Sequence, residues 1–153
     1  MPGMEDFIRQ QTSLIETVGW AVMHVLPTET DPDTVPPWAY TVGLAAHDYP
    51  ELLIAGLPPE IAHAVLNDLA SRVYDRAERF SPGQRIADLL AGYDAVIIEG
   101  TAAGELQPNA AFARYGHDRV RLQQILWPDP DGRFPWQDGY AMDPHIQPLL
   151  AQP

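Results

Sequence analysis

The residues of this chain whose types could do chemistry are five histidines, His24, His47, His63, His117 and His145, and the run HDYPE at 47–51. Imidazole beside carboxylate, here His47 with Asp48 and Glu51, is a donor set that suits a divalent metal. Asp48 and Pro50 are equally the residues of a turn, and Glu51 then reads as a solvated carboxylate at the start of a strand. The turn reading is preferred, and no metal site is expected. His63 and Asn67 stand at i and i+4 on one helix face, away from its apolar stripe, and read as a solvated face. His24 falls on an otherwise apolar strand face, which predicts a buried neutral imidazole satisfied by hydrogen bonds. His117 and His145 lie in turn or arm segments and are assigned no role.

Other chemistry is removed by composition. With no cysteine there is no thiolate nucleophile, disulfide or cysteine zinc site, and with no lysine there is no Schiff base. The chain has no His-Glu-x-x-His, glycine-rich phosphate loop or Gly-x-Ser-x-Gly elbow. Neither a reaction nor a cofactor is specified. The net charge of −12 opposes binding to nucleic acid and to anionic lipid. No apolar run is long enough to span a bilayer, and Glu5 and Asp6 stand where a signal peptide would be basic, so a cytoplasmic location is expected.

The elements that must position these residues follow from periodicity. Phe7, Ile8, Gln11, Leu14, Ile15 and Val18 recur at helical spacing and predict an amphipathic helix over 5–18, stopped by Gly19. Residues 20–26 read as a strand apolar on both faces, and PTETDPDTVPP after it as an exposed loop. Strands are expected at 38–45 and 51–57. A long helix over 58–80 begins at its prolines and carries Ala62, Leu66, Leu69, Val73 and Ala77 on one stripe. SPGQ at 81–84 matches a capping box and predicts a short helix through Leu90. Strands at 93–101 and 119–127 flank a short helix near 108–115. Together these give an α+β fold in a single domain spanning 1–153, with an N-terminal helix within 1–19. Its sheet is expected to be mainly antiparallel, of about five strands, and curled towards a half-barrel.

The stretch 128–153 holds six of the sixteen prolines and also Phe134, Trp136, Tyr140, Met142, Ile146, Leu149 and Leu150. It is an irregular arm that must pack on its own domain or, as a homodimer contact, on a second subunit. The face Ala39, Thr41, Gly43, Ala45 carries almost no bulk, so a helix, the arm or a flat ligand can approach it closely. Arg119, Arg121 and Gln123 share one strand face, where a guanidinium fork could grip an anion. Trp38, Trp127 and Trp136 could wall a pocket.

The blocks WAYTVGL, HDYPELLIAGL, LQQILWPDPDGRFPW and QPLL resemble a bacterial family catalogued as domain of unknown function 4262, over about residues 19–150. The matching positions include Tyr40, Thr41, Gly43, Glu51, Gly56, Gln123, Trp127, Asp129, Trp136 and Gln147. The resemblance implies a self-contained domain and no particular reaction.

Two functional readings follow. The first is a small-molecule site between the sheet and the arm, with Tyr40, Thr41, His47, Glu51, Arg121, Gln123, Trp127 and Trp136 as candidate ligand-binding residues. A flavin is one conceivable ligand, by analogy with curled barrels. The second is an acidic interaction module, an immunity or regulatory factor, that binds a basic protein partner.

Overall fold

The first helix ends where the sequence says it should, and the reason is backbone geometry at Gly19. The structure, a computed structural model, describes residues 3–31 and 35–151. Helix α1, Met4–Val18, closes on Gly19, whose φ of 111° is the left-handed conformation that glycine adopts most readily. The chain then enters β1, Ala21–Val25, and the acidic loop, of which residues 32–34 lie outside the described set. It continues through β2, Trp38–Val42, a 3-10 turn at Leu44–His47, and β3, Glu51–Ala55. Helix α2, Pro59–Arg76, leads to β4, Arg85–Leu90, and β5, Tyr93–Gly100. Helix α3, Asn109–Tyr115, precedes β6, Leu122–Leu126.

The fold is α+β. Its strands form one sheet in the order β1-β2-β3-β6-β5-β4. Among the described residues only β3 and β6 run parallel, and the other pairings are antiparallel. Among those residues the sheet is mixed, does not close and holds six strands, close to the five or so expected. The extra strand is β4, where SPGQ had predicted a helix. Ser81–Gln84 is instead a tight turn: the Gln84 N–H donates to the Ser81 carbonyl at 3.0 Å, and Gly83 takes φ 85° behind Pro82. Proline followed by glycine with positive φ is the pattern of a type II turn, and it shares its residue types with a capped helix start. Pairing with β5 then settles residues 85–90 as strand.

Each face of the sheet has its own core. On one, α2 lays Ala62, Leu66 and Leu69 against Ala39, Leu52, Ile54 and Ile97. The small-residue face at Ala39 is therefore covered by this helix. Gly43, which follows β2, lies against the α1–β1 junction: a Cβ there would stand 2.5 Å from the Gly19 carbonyl oxygen and 2.8 Å from Trp20 Cα. On the other face Trp38, Tyr40, Val42 and Leu53 meet Leu106, Ala111, Phe134 and Leu150. Phe134 and Leu150 belong to the arm, which thus folds back on its own sheet. No helix among the described residues is long and apolar enough to cross a membrane.

Candidate functional site

Glu51 opens a strand that is otherwise wholly apolar, and its own side chain is fully buried, not solvated. No cation meets it. Four donors do: Thr41 Oγ1 (2.9 Å) and the Leu44 N–H (3.0 Å) reach Oε1, and the N–H groups of Gly43 (2.9 Å) and Ala45 (3.1 Å) reach Oε2. The 3-10 turn aims its first amides inward because Gly43 adopts φ 142°, and a distant carboxylate caps them. Thr41 completes the cradle by accepting from the Leu52 N–H at 2.9 Å while its own hydroxyl donates to Glu51. Paired β2–β3 residues run only from Trp38 to Tyr40, so this hydroxyl takes over where the backbone ladder stops. Burial lifts the Glu51 carboxyl to about 7, and the four donors pull the other way.

A second polar knot lies beside it. The Tyr49 hydroxyl donates to Gln123 Oε1 at 2.6 Å and accepts from the Phe80 N–H at 3.0 Å, while Gln123 Nε2 donates to the Phe80 carbonyl at 2.8 Å. β6 thereby grips the segment after α2. Burial raises the Tyr49 phenol, so it stays protonated and able to donate. Its neighbour Gln124 binds the arm, donating to the Pro148 carbonyl (2.7 Å) and accepting from the Leu150 N–H (2.8 Å). From the arm, Gln147 returns the same contact, accepting from the Trp127 N–H and donating to the Trp127 carbonyl, both at 2.9 Å. Each amide side chain stands in for a strand backbone. Trp127 is fixed further by donating Nε1–H to the Ala55 carbonyl at 2.7 Å.

Asp129 organises the next turn by accepting from the N–H groups of Asp131, Arg133 and Ala141. Desolvation works to raise its carboxyl, and these donors outweigh it, so Asp129 titrates below its ordinary value. The arm then crosses Gly56, where a Cβ would stand 2.3 Å from the Ile146 carbonyl oxygen.

The candidate residues are thus distributed. Thr41 and Glu51 are joined in the cradle. Tyr40 faces the opposite core and accepts from the Ala110 N–H at 3.0 Å. His47 is exposed, edge-on to Tyr74. Arg121 precedes β6 and donates to the Asp48 carbonyl at 3.0 Å. Gln123 and Trp127 are buried in the contacts above, and Trp136 is exposed and stacked on Phe134. His24, expected to be buried, is exposed, and its Nε2 lies 3.1 Å from His63 Nδ1. Asn67, on the face expected to be solvated, accepts from Trp20 Nε1 at 2.8 Å. Sequence reasoning passed over Tyr49 and Gln124. Two adjacent glutamines inside an apolar strand were the available signal.

Two of the openings among the described residues border these elements. One, of about 500 Å³, lies where the arm meets the approach to β2 and is lined by Val35, Pro36, Pro37, Gly56, Asp143, His145 and Ile146. The other, of about 480 Å³, lies between α1 and α3, with Met4, Phe7 and Ile8 facing Asn109, Ala110 and Ala113 over a base of Gln11 and Arg114. Arg114 donates to Gln11 Oε1 and Thr12 Oγ1, each at 2.9 Å, which ties the two helices at the groove's base.

Fold and site together define an α+β domain whose signature polar residues hold β2, β3, β6 and the arm in place without lining either of these openings. The chain belongs to the family described as Domain of unknown function (DUF4262), which matches residues 14–141. None of the curated proteins and none of the solved structures matches it.

Proposed function

We propose that the protein is a binding module that docks an amphipathic helix with basic flanks in the groove between α1 and α3. The observation that carries this reading is the inversion of α1. Met4, Phe7, Ile8, Leu14 and Val18 share one helix face with Gln11, yet Met4 is 71% exposed, Ile8 49% and Phe7 45%, whereas Gln11 is 5% exposed. An apolar stripe in water marks a contact surface. Small residues on α3 leave room for a helix to lie along it, with anchors at i, i+3 and i+4. The basic flank follows from charge: the chain carries −12, and α1 itself contributes Glu5, Asp6 and Glu16 against Arg9 alone. Met4, Phe7 and Ile8 precede the span that the family match covers, so this half of the groove is outside the shared region.

The test uses two synthetic helical peptides, one leucine/arginine and one leucine/glutamate, titrated against the full chain. Binding of the basic peptide only, weakened by salt and abolished by Ile8→Asp, supports the reading. Equal binding of both peptides, or none, overturns it. So does a dimer in light scattering that Ile8→Asp dissociates, since the stripe would then belong to a second copy.

A small-molecule site between sheet and arm is the second reading, and the cleft at Gly56 favours it. There the Asp143 and His145 side chains stand beside an apolar wall of Pro36, Pro37 and Ile146. A retained mass in the native spectrum of the purified chain, lost in His145→Trp, would support it.

A further inference from the structure

We infer that His24 and His63 form a chelating site for a divalent transition-metal ion, Cu2+ or Zn2+, at the outer edge of the seam between β1 and α2. His24 Nε2 and His63 Nδ1 lie 3.1 Å apart, with rings 12° from parallel and centroids 5.4 Å apart. With metal–nitrogen bonds of about 2.0–2.1 Å, that separation subtends about 100° at the ion. The angle falls between the right angle of a tetragonal site and the tetrahedral one, and because the facing nitrogens now point at each other, each exposed ring must turn by about 40° to aim its lone pair at the ion. Imidazole suits both ions, and Cu2+ is the tighter binder of the two.

Two further features make the pair more than two surface histidines. Both rings are exposed, so an ion reaches them without opening the fold, and water completes its coordination. The seam is already fixed nearby by the Trp20–Asn67 hydrogen bond, so the two histidines are brought together before any ion arrives. The proton count closes without release. Each neutral imidazole carries one N–H, and the ring that donates in the present contact moves its proton to its other nitrogen, which frees both facing nitrogens for the metal.

The experiment is titration of the full chain, free of any histidine tag, with CuCl2 followed by electron paramagnetic resonance, and with ZnCl2 followed by calorimetry. The expected result is one equivalent bound, with hyperfine splitting from two imidazole nitrogens. His24→Ala and His63→Ala should each weaken binding about tenfold or more, and His47→Ala should leave it unchanged. His24→Gln and His63→Gln, which keep a hydrogen-bonding group at the seam, serve where an alanine variant is unstable. Two-nitrogen coordination that persists in the double variant, or a wild-type spectrum without it, would overturn the assignment.

Discussion

The Glu51 cradle and helix α1 are opposite arrangements of the same two materials. In the cradle a carboxylate lies fully buried among apolar strands, with every partner supplied by the protein. On α1 a glutamine is buried while Met4, Phe7, Ile8, Leu14 and Val18 stay exposed and Ile15 packs against the core. A buried polar group must find its hydrogen bonds inside, and when it does it specifies one structure. Apolar groups left outside gain nothing from the fold, so their presence points to something beyond it. The polar interior therefore accounts for how the fold is fixed, and the apolar exterior is what the proposed contact surface rests on.

The sharpest way to break this comparison is to empty the cradle. Glu51→Ala leaves three backbone N–H groups and the Thr41 hydroxyl without their acceptor in a dry site. It should cost about 4 kcal/mol, on the scale of 1–3 kcal/mol for each unsatisfied group with some relief by entering water. For a chain of this length that lowers Tm by about 10–15 °C in thermal unfolding followed by circular dichroism. A fall of only a degree or two would show that the cradle is not a keystone.

The same carboxyl sets a pH dependence. Its folded value of about 7 lies above the ordinary value of 4.5, so between these limits the folded state holds the proton more tightly than the unfolded one. The contribution is fully present below pH 4.5 and is lost as pH rises through 7. The difference is about 3 kcal/mol, taking each pKa unit as 1.36 kcal/mol. Urea midpoints should accordingly be higher at pH 5 than at pH 8. Glu51→Gln lowers stability at both pH values, because its amide N–H2 faces donors, but it should flatten this slope. Asp129 acts with the opposite sign, since its folded value is lowered, and its stabilisation fades only as pH falls below the ordinary carboxylate range.

Gln147→Leu sharpens the comparison at the arm. It removes both partners of the Trp127 backbone and should cost about 2 kcal/mol. Limited proteolysis should then cut between Asp143 and Leu150 at least several times faster than in the parent. Unchanged cleavage would mean that Gln124 alone holds the arm.

Much of this architecture is legible in the residues, and the parts that are not share one cause. Helical spacing marks α1, α2 and α3, and strand-like runs mark β1, β2, β3, β5 and β6, because each signal is local. β4 is hidden because Arg85–Leu90 contains good helix formers and pairing with β5 overrides them. The burial of Glu51 is hidden because its main partners are backbone amides at Gly43, Leu44 and Ala45, and backbone donors leave no residue type to read. Thr41 and Glu51 do emerge together as candidates, from a hydroxyl on a bare strand face and a carboxylate heading an apolar strand. The stripe on α1 is visible as a pattern, but the pattern does not say which face the domain covers. Gln11 sits within the stripe, and its contacts with Arg114 and Met23 turn that edge inward.

The smallest expected effect tests the exterior half of the comparison. Phe7→Ser and Ile8→Asp alter large apolar residues, and in a buried core such changes would cost several kcal/mol. Here both side chains are about half exposed and line an open groove, so unfolding midpoints should move by no more than about 0.5 kcal/mol. Gln11→Ala is the internal control on the same helix face: it removes the acceptor that Arg114 uses and should cost about 1–2 kcal/mol. On this stripe the polar residue should therefore matter more to folding than the apolar ones, which inverts the usual ranking. If Ile8→Asp instead destabilised the chain more than Gln11→Ala, α1 would be packed on its own domain through the stripe, and the groove would lose its claim as a contact surface.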